Sequence, residues 1–247
     1  MSKILLHIDN LNHYTDAHLS DLLKYLGDGR KALVEHLPEG QNKKQRILAS
    51  DLLEQELLKL GLNSPKAYGK TKQGKPKLLD REDISFSLSH SGNLVAAAVW
   101  QNSFYEVGID VEDLSNRQQS VEKLMKLAKR FLRPEEVDIV AGNLPDGLHY
   151  SWQEEDMNLS EEEKLIRRFY RIWTFKEAMC KAKDQPLMEV LKEEPYTMDR
   201  RDILCRVVDN SVLTLAIAPR QGVIFPERNV NQGEVLPENI LLSGSFR

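Results

Sequence analysis

Two cysteines, Cys180 and Cys205, are all the thiol this chain has. They form no paired metal-type spacing, and thiols this sparse are expected to stay reduced, in a cytoplasmic protein. No run approaches the about eighteen consecutive apolar residues of a membrane-spanning helix, so no membrane span is expected. The opening MSKILLHIDN has an apolar stretch too short and too soon interrupted to be expected as a signal peptide. Positive excess is missing too. A net charge of -4 argues against general nucleic-acid binding, which relies on neutralising phosphates.

What remains is an ordinary globular composition, 41% hydrophobic and 29% charged over 247 residues. That length suffices for one large domain or two small ones with a substantial core. The charge is uneven. Residues 24–77 are rich in Lys and Arg, whereas residues 153–163 carry Glu154, Glu155, Asp156, Glu161, Glu162 and Glu163. A basic half suits an anionic ligand or an acidic partner, although solvated surface explains any single lysine as well.

Hydrophobic spacing predicts a helix over Gln41–Leu60, stopped by Gly61. A Gly- and Pro-containing loop over residues 63–77 follows. Three strands are predicted next, Ile84–Leu88, Leu94–Trp100 and Tyr105–Val111, as a meander of neighbours. Beyond Leu114 the pattern turns helical over Val121–Leu132, with a restart at Pro134. Residues 141–163 read as an acidic loop or insertion. A long helix from Glu162 to Lys183 stops before Pro186, and the strands Ile203–Val208 and Val212–Ala218 close the core. The fold class is α+β, in two loosely similar halves divided near Leu114: residues 1–114, 115–225 and a tail, 226–247.

Three constellations could carry chemistry. In YEVGIDVED, strand alternation puts Val107, Ile109 and Val111 on one face and Asp110 and Glu112 on the other. Adjacent carboxylates repel unless a cation lies between them, and Mg²⁺ suits hard oxygen donors. Gly108 is expected to leave room for a ligand to approach Asp110. A solvated edge face would carry the same pattern. In WTFKEAMCK, Trp173, Glu177 and Lys181 share a helix face, with Lys176 beside them; Glu177 and Lys181 also fit a plain helix-stabilising ion pair. In FSLSHSG, His90 between Ser89 and Ser91 suits either a phosphate contact or a turn cap. Residues 69–76 nearly spell a phosphate-binding loop, but Pro76 stands where Ser or Thr must hold the metal.

In order, FSLSHSGN, VGIDVED, KRFLRPEE and WTFKEAMCK resemble the 4′-phosphopantetheinyl transferase superfamily, in its longer single-chain type that activates peptide and polyketide synthetases. The resemblance spans about Arg46 to Lys183. It implies two similar α+β halves, a pseudo-dimer, with coenzyme A and Mg²⁺ in the cleft between them. The implied activity moves the 4′-phosphopantetheine group from coenzyme A to a serine of an apo acyl or peptidyl carrier protein, releasing 3′,5′-ADP. Asp110, Glu112 and Glu177 match the metal ligands. Lys181 matches a phosphate contact that also acts in catalysis, and Lys176, the other lysine of its motif, is expected to contact coenzyme A as well. Ser89, His90, Lys75 and Arg46 match coenzyme A contacts. Glu136 matches the general base, with Glu135 as its neighbour in register. A monomer is expected, with the acidic stretch near the carrier-protein docking region. The competing readings are a non-catalytic coenzyme A or carrier-binding module and a metal-dependent phosphohydrolase.

Overall fold

Side-chain alternation decides which layer each strand joins. The computed structural model describes residues 3–63, 67–115, 120–144, 152–196, 203–222 and 240–243. In chain order these form β1 (Ile4–Asn10), a 3₁₀ turn, α1 (Asp16–Tyr25), α2 (Asp28–Val34) and α3 (Gln41–Lys59). Next come β2 (Tyr68–Lys70), β3 (Pro76–Leu78), β4 (Ile84–Ser91), β5 (Leu94–Gln101) and β6 (Tyr105–Asp113). The remainder is α4 (Val121–Phe131), α5 (Pro134–Ala141), α6 (Trp152–Glu155), α7 (Glu161–Lys183), α8 (Leu187–Glu193), β7 (Ile203–Val208), β8 (Ser211–Pro219) and β9 (Ile240–Ser243).

This is a mixed α+β architecture with two main sheets, ordered β4-β5-β1-β9 and β6-β8-β7, and a small β2–β3 hairpin. Ile4, Leu6 and Ile8 of β1 and Leu94, Ala96 and Ala98 of β5 pack on Val107, Ile109 and Val111 of β6 and Leu213 and Leu215 of β8. The alternate β5 residues, Val95 and Ala97, turn the other way onto Ile47, Leu48 and Leu52 of α3. Beyond the second sheet, Val212, Ala216 and Ala218 meet Phe175, Ala178 and Met179 of α7. The order of layers is therefore helix, sheet, sheet, helix. Leu48, Leu52, Leu53 and Leu57 of α3 are completely buried, each worth about 1.5–3 kcal/mol relative to exposure. Among the described residues, no helix is long and apolar enough to cross a membrane.

The expected meander is corrected. β4 and β5 form a hairpin, but β5 pairs next with β1, and β6 leaves for the other sheet to pair with β8. The reason lies in LVAAAVW, which is buried on both faces. It is the inner strand of a sheet whose other neighbour, β1, comes from an N-terminal segment left without a predicted strand. Residues 152–155 of the expected acidic loop are helical; residues 145–151 lie outside the described set. Part of that acidic load points inward. Asp156, 1% exposed, pairs with Arg167 at 2.8 Å and Arg171 at 3.1 Å.

β4 and β6 are edge strands of different sheets that run side by side, so their facing backbone groups need partners. Serines supply them. Val107 N–H donates to Ser85 Oγ at 2.9 Å, Ile109 to Ser87 at 3.1 Å, Val111 to Ser89 at 3.2 Å and Asp113 to Ser91 at 3.1 Å. A side-chain seam thus replaces the usual backbone ladder.

Candidate active site

Four elements converge on β6. Asp110 lies on its α7 side, 7% exposed. Its Oδ1 accepts from Lys181 Nζ at 2.8 Å and from Ser89 Oγ at 3.0 Å. Lys181 also donates to Ile109 O at 2.8 Å and reaches Ser89 Oγ at 3.3 Å. Glu112 Oε2 accepts from Ser91 Oγ at 3.1 Å. Trp173, Glu177 and Lys181, together with Cys180, are half-open in a stretch of α7 that is otherwise buried from Arg168 to Ala182, in keeping with the four-residue spacing of the first three. Trp173 stacks on Phe169, with ring centroids 5.9 Å apart.

Glu177 is the electrostatic centre. Burial, then the charge of Asp110, push its carboxyl up to about 7; Lys181 offsets this in part and Glu112 adds to it. The three acids therefore sense one another across the β6–α7 boundary. The sign follows for stability. An acid whose folded pKa exceeds its unfolded value adds no penalty below the unfolded pKa of 4.5, and its penalty grows as pH rises toward about 7. With metal removed by EDTA, Glu177→Gln should raise the melting temperature at pH 8 and leave it nearly unchanged at pH 4.5. Equal shifts at both pH values would refute this electrostatic account.

His90 points to the α3 side of β4, and burial, then the charges of Arg46 and Lys181, lower its pKa. Arg46 is exposed on α3, with Nε donating to Asn42 Oδ1 at 3.1 Å. Arg46, Ser89, His90, Asp110, Glu112, Glu177 and Lys181 thus share one neighbourhood. Burial, then Glu177, push the Cys180 thiol up to about 11, and its Sγ donates to Gln185 O at 2.9 Å.

Three sequence candidates lie elsewhere. Lys75 is at the opposite end of the serine seam. Its Nζ donates to Glu106 Oε2 at 2.9 Å and Val107 O at 2.8 Å. It borders a cavity of about 390 Å³ that Lys77, Arg81, Lys183 and Arg220 also line. Lys176 is 0% exposed, and its Nζ donates to Leu191 O and Glu194 O and pairs with Glu136 Oε1 at 2.7 Å. Those three contacts use all three ammonium protons. Glu136 is 2% exposed; Oε1 also accepts from Tyr196 N at 2.8 Å, and Oε2 accepts from Arg133 N at 3.0 Å. Glu135 is exposed and pairs with Arg133 at 2.8 Å.

The room expected beside Gly108 is filled. A Cβ there would lie 1.9 Å from Ala178 O and 2.6 Å from Ala182 N. Gly108 admits the backbone of α7, not a ligand, and that contact brings Glu177 and Lys181 to Asp110. Sequence reading also missed Ser85, Ser87 and Ser91. Serine at every second position of a strand was the available signal.

Residues 106–216 match the sequence model of the 4′-phosphopantetheinyl transferase superfamily. The matched segment covers less than half of the 247-residue chain. It runs from β6 through α7 into β8 and contains Asp110, Glu112, Glu136, Lys176, Glu177 and Lys181. The chain is 38% identical over 113 residues to the 4′-phosphopantetheinyl transferase HetI of Nostoc sp., across 44% of this chain and 38% of that protein. It is 34% identical over 112 residues to a Synechocystis sp. protein provisionally named a 4′-phosphopantetheinyl transferase, across 44% of this chain and 36% of the relative. The match spans little more than a third of either relative's length. Arg46, Lys75, Ser89 and His90 precede the matched segment.

Proposed function

We propose that the chain transfers the 4′-phosphopantetheine group of coenzyme A to a serine hydroxyl of an acyl or peptidyl carrier protein. The observation that carries this reading is the contact of Lys181 with Asp110 beside the mutually repelling Glu177, all within the matched segment. In the reaction the serine oxygen bonds to the phosphorus that bears the pantetheine arm. The bond from that phosphorus to the bridging oxygen breaks, and 3′,5′-ADP leaves with the electron pair. The serine proton passes to a base.

Mg²⁺ fits the donor chemistry of Asp110, Glu112 and Glu177. These are hard oxygens whose repulsion already shifts Glu177, and a divalent cation would relieve it. Among the described residues no three such side chains stand gathered as a metal cluster, and Lys181 takes one oxygen of Asp110. When bound, the ion supplies charge neutralisation to the diphosphate. We assign the anionic end of coenzyme A to Arg46, His90 and Lys181, because these lie beside Asp110, whereas Lys75 lies at the other end of the seam on Glu106 and Val107 O. Lys181 would hold the diphosphate oxygens as charge builds on the leaving group. The expected role of Glu136 as base requires its pairing with Lys176 to open; while closed, the pair is a structural tie between α5 and α7.

Topology supports the reading of two similar halves. β1, then α3, then the hairpin β4–β5 give the order β4-β5-β1; β6, then α7, then the hairpin β7–β8 give β7-β8-β6. The joint of such a duplication falls between Gln101 and Tyr105 rather than near Leu114, and the acids lie where the two units meet.

Asp110→Asn keeps the shape and removes the charge. It should cut transfer by about 10²-fold or more, the scale of losing one preorganised charge-stabilising group, while the melting temperature moves only a few degrees. The check is release of 3′,5′-ADP in the presence of coenzyme A, Mg²⁺ and apo carrier protein. Wild-type release by the variant at limiting Mg²⁺ would defeat the assignment.

A further inference from the structure

Polar groups of three elements meet at Ser89, a 7% exposed residue of β4. Its Oγ accepts the N–H of Val111 from β6 at 3.2 Å and the ammonium of Lys181 from α7 at 3.3 Å, and it donates to Asp110 Oδ1 at 3.0 Å. A hydroxyl has one proton and two lone pairs, so these three contacts saturate it. No capacity is left for a ligand, although the family resemblance matches Ser89 to coenzyme A. Ser87 has the same place in the seam without these extra partners. It accepts from Ile109 N–H at 3.1 Å, and the residue before Ile109 is Gly108, which has no side chain to receive a proton.

We infer that Ser89 is a positioning residue: it orients Lys181 through Asp110 and touches no substrate itself. Lys181 is saturated in turn, its three ammonium protons going to Ile109 O at 2.8 Å, Asp110 Oδ1 at 2.8 Å and Ser89 Oγ at 3.3 Å. The Ser89 contact is the longest of the three. A charged phosphate oxygen bonds an ammonium more strongly than a hydroxyl does, so this is the contact that an arriving diphosphate exchanges. Ile109 O and Asp110 then aim the ammonium, and Ser89, still fixed by Val111 N–H, keeps Asp110 Oδ1 in place. The inference rests on the reading of Lys181 as the group that meets the diphosphate of coenzyme A.

A double-variant cycle on the full chain, with coenzyme A, Mg²⁺ and an apo carrier protein, tests it. Misplacing a catalytic group by about 1 Å can cost about 10²-fold in rate. Ser89→Ala removes one of the contacts that fix the pair, so kcat should fall about 10-fold, with the KM for coenzyme A within about twofold of wild type. In a Lys181→Gln background the same change should have no further effect, because the group it acts through is already gone. Ser87→Ala also removes an acceptor for a β6 N–H, and should lower the melting temperature with kcat and KM at wild-type values. A second readout needs no turnover: labelling of Lys181 by acetic anhydride on the free chain, located by peptide mass spectrometry, should be faster in Ser89→Ala and unchanged in Ser87→Ala. A raised KM with kcat kept would overturn the inference in favour of a coenzyme A contact. The full loss persisting in the Lys181→Gln background, or an equal loss in Ser87→Ala, would overturn it in favour of a purely structural seam. A wild-type chain that modifies no carrier, with labelling as expected, would support the tie and overturn the transfer reading beneath it.

Discussion

Glu136→Gln is expected to cost about 3–5 kcal/mol of folding stability, the scale of removing one partner from a buried ion pair. The cause is Lys176. Its ammonium is 0% exposed, and its one charged partner in the pair is Glu136 at 2.7 Å. Neutralising the acid leaves that charge with only the carbonyls of Leu191 and Glu194. Glu135→Gln, on the exposed side of the same turn, should change stability by no more than about 0.5 kcal/mol. Denaturant unfolding of the two variants checks both values. A double variant, Glu136→Leu with Lys176→Met, should regain much of the loss, since apolar replacement of a buried pair is often neutral or stabilising. If Glu136→Gln instead keeps full stability while transfer at saturating substrates falls, the acid is the base and the tie between α5 and α7 is secondary.

Gly108→Ala should damage both fold and activity. The added Cβ meets backbone atoms, Ala178 O at 1.9 Å and Ala182 N at 2.6 Å, so no side chain can swing aside to admit it. Helix α7 must move off β6, at a cost above the about 1–3 kcal/mol of ordinary overpacking. The movement also carries Glu177 and Lys181 away from Asp110. Transfer should therefore fall even below the melting transition, and saturating coenzyme A should not restore it. A variant with wild-type melting temperature and rate would mean that the α7–β6 spacing does not set the site.

Long periodic segments were legible in the sequence. The stripe of α3, the span of α7 and the parity of Asp110 and Glu112 on β6 all follow from spacing alone, because one face of each element is apolar and the other is not. Partner choice was not legible. Tyr105–Asp113 reads as the next strand after β5, yet it pairs with β8, Ser211–Pro219, far later in the chain, and no local pattern encodes that pairing. Lys176 was equally opaque. It sits one residue before Glu177, about 100° around the helix, and that rotation takes it from the half-open face into the core. The motif match suggested a ligand contact where burial gives a structural pair. Gly108 misled for a related reason: a missing side chain signals close approach, but the sequence does not say whether ligand or backbone approaches.

Transfer to a carrier serine would change the mass of the carrier itself. Purified chain is incubated with coenzyme A, Mg²⁺ and an apo carrier protein, and the intact carrier is weighed by mass spectrometry. The account predicts a gain of one phosphopantetheine group per carrier, lost when the carrier's acceptor serine is changed to alanine and when Mg²⁺ is chelated. An unmodified carrier together with coenzyme A breakdown at the same rate without carrier would contradict it and identify a phosphohydrolase.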